Sequence, residues 1–114
     1  MDFGKQLSLV RERAPLVQCI TNFVTVNDCA NIILAAGGSP SMAEDIREAA
    51  ECAAAASALV CNLGAIDKVD SMLAAGQSAN AAGRPVVLDP VAAGGPALRR
   101  RGSAWLLEGG RFSV

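Results

Sequence analysis

An α/β architecture on a mainly parallel sheet is expected for this chain, on three grounds. Short apolar runs of strand length alternate with segments of helical periodicity along the whole sequence. The runs end in polar residues, glycine or proline, which mark turns between strand and helix. Strand, helix and strand in repeated order imply right-handed crossovers, and these lay the strands parallel. The 114 residues suffice for one ordinary domain and are too few for two. Hydrophobic residues make up 52%, so material for a packed core is present.

Phe3 to Arg13 reads as a short helix, ended by Pro15. Leu16 to Ile20 is a buried-strand candidate interrupted by Gln18. Val26, Cys29, Ala30, Ile33 and Leu34 then fall on one face of a helix, which Gly37 and Gly38 stop. Ser39 to Met42 is short and extended because Pro40 disfavours helix before it. A third helix is expected over Glu44 to Ala56, with Ile46, Ala49, Ala50, Ala53 and Ala54 inward. Ala58 to Cys61 reads as the next strand, and Asp67 to Ala82 as a helix with Val69, Met72, Leu73 and Gly76 inward. Gly83 ends that helix, and Val86 to Leu88 reads as a buried strand. Ala97 to Glu108 is a last helix, weakened by Gly102, and Arg111 to Val114 looks like the opening of another strand.

What is missing excludes several chemistries. The chain has no His, which removes Ser-His-Asp triads, Cys-His pairs and His-ligated zinc. Cys19, Cys29, Cys52 and Cys61 show no C-x-x-C spacing and are expected to be reduced thiols. Ten basic and eleven acidic side chains, net −1, argue against a nucleic-acid partner. No apolar run approaches the ~18 residues of a membrane span, and the charged N-terminus has no signal-peptide core. A cytoplasmic location with no membrane contact follows as an expectation.

In open α/β sheets, ligands gather at the carboxyl ends of the strands. Thr21 and Asn22, Met42, Asn62 and Gly64, and Asp89 all stand there. A carboxylate directly after an apolar strand must be solvated, paired or metal-bound. Asp89 is thus either a ligand to Mg²⁺ or its water shell, or a turn residue before Pro90. Asn22 is a ligand contact or a helix cap, and Met42 an apolar ligand wall or a core residue. Gly64 admits a close approach or makes a turn. The Gly94-Gly95 loop offers backbone N–H groups to an anion or is a plain connection. Arg99 to Arg101 reads as a solvated helix face.

Taken together, PLVQCITN (15–22), Ala30-Asn31, LAAGGSPSMA (34–43), ALVCNLG (58–64) and PVVLDPV (85–91) resemble the hydroxyethylthiazole kinase family, in family order and over nearly the whole chain. The resemblance implies a ribokinase-like three-layer sandwich. It also implies phosphorylation of the hydroxyl of 4-methyl-5-(2-hydroxyethyl)thiazole, with ATP and Mg²⁺, in thiamine biosynthesis and salvage. Members form homotrimers with the thiazole sites between subunits. Met42, Asn22 and Gly64 match family residues at the thiazole pocket, and Asp89 matches the acidic residue near the phosphates and the metal.

Family members are much longer. Residues 1–114 are therefore expected to be the N-terminal part of a single truncated domain. The Arg-Gly-Asn segment, a later threonine and the glycine-rich segment with the catalytic cysteine would lie beyond Val114. Ala65 replaces the threonine usual after Gly64, and the stretch that follows is slightly shorter. The chain alone is accordingly expected to have little or no kinase activity, and to be poorly soluble or to oligomerise, because a strand edge is left unpaired and apolar helix faces uncovered. The alternatives are a non-catalytic thiazole-binding or split-enzyme partner, or an unrelated α/β binding module.

Overall fold

The computed structural model describes residues 1–114. In chain order it has α1 (Phe3–Arg13), β1 (Leu16–Ile20), α2 (Val26–Ala36), β2 (Ser39–Ser41), α3 (Ala49–Ala55) and β3 (Ala58–Asn62). A 3-10 turn (Ile66–Lys68), α4 (Val69–Ala81), β4 (Val86–Asp89) and α5 (Ala97–Gly109) follow. The four strands form one sheet in the order β2-β1-β3-β4, every pair parallel. The step from β1 to β2 runs one way across the sheet, and the steps to β3 and β4 run the other. Right-handed crossovers therefore put α2 on one face and α3 and α4 on the opposite one. No helix is long and apolar enough to cross a membrane.

Register decides which side chains meet. Ile20 pairs with Cys61, Leu59 with Val86, and Cys61 with Leu88, so these residues share a face. They pack on Ala49 and Ala53 of α3, Met72, Ala75 and Ala79 of α4, and Leu106 of α5. The alanines let the helices lie close to the sheet, and this layer holds the core. The other face, with Cys19, Val60 and Val87, is thinly covered, because neither α1 nor α2 buries any residue fully. Leu34, expected on the inner face of α2, is 56% exposed.

The third helix starts five residues later than expected. Asp45 Oδ1 accepts from Arg47 N at 2.9 Å, and the Asp45 carbonyl accepts from the amides of Glu48 and Ala49. This local turn competes with a helical start, and it leaves Ile46 exposed rather than inward. Ala54, also expected inward, faces solvent because the short helix buries only Ala49 and Ala53. The helix expected from Asp67 begins instead as the 3-10 turn, which tucks Ile66 against the core. Gly102 of α5 is buried, and a Cβ there would stand 2.8 Å from Ile66 Cδ1, so the glycine permits close packing.

Arg111 to Val114 is not a regular strand, yet it lies along the edge of β4. Ser113 N donates to Val86 O at 2.7 Å, and Leu88 N to Val114 O at 2.9 Å. Asn80 of α4 fixes the approach to that edge. Its Nδ2 donates to Arg111 O, and its Oδ1 accepts from Arg111 N, both at 2.8 Å. Apolar side chains remain exposed elsewhere, among them Ile32, Leu98 and Leu107.

Gly37 closes α2 at φ 105°, and its N–H donates to Ile33 O and Leu34 O. A Cβ there would stand 2.9 Å from Arg11 Cα, so α1 and α2 meet at this point. Gly37→Ala is expected to destabilise the fold by at least ~1–2 kcal/mol from the left-handed backbone alone, read as a lower urea midpoint.

All four cysteines are free thiols; Cys19 and Cys61 are buried, Cys29 and Cys52 half-buried. Burial, reinforced by the neighbouring Cys19, pushes the Cys61 thiol up to about 12. Burial, reinforced by Cys29, pushes Cys19 up to about 11. An unfolded chain loses these protons near 9.0 while the fold keeps them. Their contribution to stability is thus complete below pH 9 and is lost as pH rises towards 12. Labelling with a thiol reagent at pH 8 is expected to reach Cys29 and Cys52 first, and Cys19 and Cys61 only on unfolding. The urea midpoint is expected to fall above pH 9.

Candidate functional site

The order of the strands leaves a crevice where the crossovers reverse direction, between the carboxyl ends of β1 and β3. Thr21 and Asn22 leave β1 on one side of it, and Gly64 and Ala65 follow β3 on the other. The crevice is a cleft of about 320 Å³, the lower end of the range for small-molecule sites. Phe23, Val26, Glu44, Asp67 and Lys68 complete its lining. The cleft carries charges of both signs, and Lys68 Nζ approaches Glu44 Oε1 at 3.9 Å. Both side chains are partly exposed, so this pair contributes little to stability.

Asn22 acts as a turn-forming residue and faces the cleft as well. Its Oδ1 accepts from Val24 N at 3.1 Å and Thr25 N at 3.2 Å, which fixes the loop before α2. Thr21 and Thr25 hydroxyls bond to each other at 2.9 Å beside it. Gly64 is required by close approach. A Cβ there would stand 2.7 Å from Asn62 Oδ1 and 2.8 Å from Asn22 Nδ2. Two side-chain amides thus converge on one glycine.

Asp89 ends β4 beside Asn62, its register partner. Asn62 Nδ2 donates to Asp89 Oδ2 at 3.3 Å, and Asn62 Oδ1 accepts from Gly64 N at 2.8 Å. Asn62 therefore links the glycine of the cleft to the carboxylate of the next strand. Asp89 itself is exposed and lies outside the cleft lining. Hydration explains how its charge is tolerated after an apolar strand.

Met42 follows β2, half-buried, and is not part of the cleft wall; Glu44, two residues on, is. The loop between them is tied to the sheet by Gln18, whose Nε2 donates to Ala43 O at 2.9 Å. Gln18 is fully buried, and its Oε1 has no partner. The Gly94-Gly95 loop is exposed, and Gly95 N is spent on Ala92 O at 3.0 Å. Only part of the basic run is a solvated face. Arg101 is exposed, whereas Arg99 is half-buried and donates to the carbonyls of Leu63 and Gly64. Arg100 donates to Gly95 O.

Sequence reasoning placed Asn22, Gly64 and Asp89 at neighbouring strand ends, and the sheet brings them together. It set Asn62 on the same rim without giving it a role, and it did not single out Glu44, Asp67 or Lys68. The signal for Asn62 was a lone amide at the end of an apolar run, directly before Leu63-Gly64. Glu44, Asp67 and Lys68 gave no local signal, since charged residues beside a helix start are ordinary.

Known proteins match this chain over almost all of its length. The family model described as the hydroxyethylthiazole kinase family matches residues 7–114. A protein named hydroxyethylthiazole kinase from Desulfovibrio desulfuricans is 53% identical over 114 residues, covering 98% of this chain and 40% of that protein. One of the same name from Cereibacter sphaeroides (strain KD131) is 54% identical over 106 residues, covering 91% and 40%. A solved structure of the hydroxyethylthiazole kinase protein from Pyrococcus horikoshii OT3 superposes with a TM-score of 0.88 at 46% identity, covering 93% of this chain and 42% of that one. The chain thus spans about 40% of the length of the curated relatives it matches. With family model, relatives and structure in agreement over nearly every residue, this chain belongs to the hydroxyethylthiazole kinase family.

Proposed function

We propose that residues 1–114 are the N-terminal, substrate-holding part of a single ribokinase-like domain. The whole domain phosphorylates the hydroxyl of 4-methyl-5-(2-hydroxyethyl)thiazole with ATP. The observation that carries this reading is the cleft at the β1–β3 crevice, where Asn22 and Gly64 meet in a member of this family. Its volume suits a single small ring, and Val26 with the exposed ring of Phe23 offers apolar surface beside polar amides. Met42 serves the same ligand from the neighbouring loop, and family proteins place that pocket between subunits of a homotrimer. The assembled protein works in the cytoplasm, where ATP and Mg²⁺ are abundant.

The donor set fits a magnesium ion at Asp89. Mg²⁺ keeps most of its waters and needs only one or two carboxylates beside the phosphates. Asp89 is an exposed carboxylate at a strand end, and Asn62 orients it through one oxygen. When bound, the ion supplies charge neutralisation at the transferred phosphoryl group. Asn62 couples the two halves of the site. It holds Gly64 N on one side and steadies Asp89 on the other, so substrate corner and metal corner keep a fixed separation.

Steady-state kinetics on the protein made from the complete reading frame, with ATP and hydroxyethylthiazole, test this directly. Gly64→Ala displaces both converging amides and is expected to raise KM for the thiazole about tenfold or more. Asp89→Asn is expected to lower kcat about a hundredfold while the thiazole KM changes little. Unchanged parameters in both variants would refute the assignment.

A further inference from the structure

The Gly64 corner is held from behind by a helix that contributes nothing to the cleft wall. The corner's amides are paired with β4 and within its own turn. Leu63 N donates to Asp89 O at 2.9 Å, Gly64 N to Asn62 Oδ1 at 2.8 Å, and Ala65 N to Asn62 O at 3.1 Å. Its two carbonyls have a different partner. Leu63 O and Gly64 O both accept from Arg99 Nη1 of α5, at 2.5 and 3.2 Å. One turn further along α5, Gly102 brings the helix close to the same corner. A Cβ there would stand 2.8 Å from Ile66 Cδ1 and 3.5 Å from Leu63 Cδ1. Residues three apart share a helix face, so Arg99 and Gly102 act on one spot.

We infer that Arg99 is a positioning residue for ligand binding in the Asn22–Gly64 cleft. The guanidinium clamps two successive peptide carbonyls and so sets the planes of the peptides on either side of Gly64. Those planes decide where Gly64 Cα meets Asn22 and Asn62. Without the clamp, two partly buried carbonyls lose their donor, and the corner turns to find water. The role calls for arginine, because both bonds come from Nη1, whose two N–H groups are held in the guanidinium plane and so fix a direction that a freely rotating ammonium leaves loose. The inference rests on the reading of the cleft as the thiazole site.

The test compares Arg99→Ala, Arg99→Lys and Gly64→Ala in the protein from the complete reading frame. Arg99→Ala is expected to raise KM for hydroxyethylthiazole about tenfold. KM for ATP and kcat are expected to stay within about twofold. Arg99→Lys keeps the charge and is expected to give an intermediate thiazole KM. A purely structural role predicts a lower kcat from a smaller folded fraction with the thiazole KM unmoved, and that result overturns the inference. If Gly64→Ala raises the thiazole KM and neither Arg99 variant does, the inference falls while the cleft assignment stands. If Gly64→Ala also leaves it unmoved, the cleft assignment falls and takes the inference with it. Should Arg99→Ala fail to fold, Arg99→Lys decides alone: a thiazole KM raised about threefold supports the inference, and an unchanged KM rejects it.

Discussion

The handedness of the crossover connections is the constraint on which the rest of this structure depends. A parallel strand can be reached from its predecessor only by a right-handed path, so the direction of each step fixes the face its helix covers. Here the first step goes to β2 and the later ones to β3 and β4. The helix layers therefore separate at β1, and the loops leaving β1 and β3 diverge instead of closing over the sheet. The cleft is a by-product of that divergence. Its walls start directly after the ends of β1 and β3, and the pairing of those strands brings two side-chain amides against a single glycine.

Much of the fold was legible in the sequence. All four strands and all five helices were expected near where they occur, because the apolar runs and the helical periods are interrupted by unambiguous stops such as Gly37 and Gly83. The errors have two causes. At Asp45 a polar side chain bonded to its own following backbone and delayed α3, a competition that hydrophobic periodicity does not register. At Leu34 and Ala54 the period marked an apolar face, but burial also requires something to pack against, and little lies there.

The site was half legible. Glycine and carboxylate at strand ends are unusual enough to stand out in one sequence, and Gly64, Asn22 and Asp89 did so. Asn62 became meaningful only through the register that sets it beside Asp89. Arg99 was hidden for the opposite reason. Three consecutive arginines look like a solvated face, and only the close approach at Gly102 turns the first of them inward to the carbonyls of Leu63 and Gly64. The same glycine reads in sequence as a defect of the helix and in the structure as the reason the helix can dock.

Asn80 has a consequence for how the edge of the sheet grows. Its side chain grips both the N–H and the carbonyl of Arg111, as a neighbouring strand would. In an extended chain, successive residues turn these groups to opposite sides, so a slip by one residue presents nothing to the amide. Asn80 is thus a parity filter. The helix layer, anchored to the core, thereby favours one parity of register for the segment that lies beside β4. An open strand edge is prone to misalignment and to capture by foreign strands, and here a single amide one layer away holds the neighbouring segment in place.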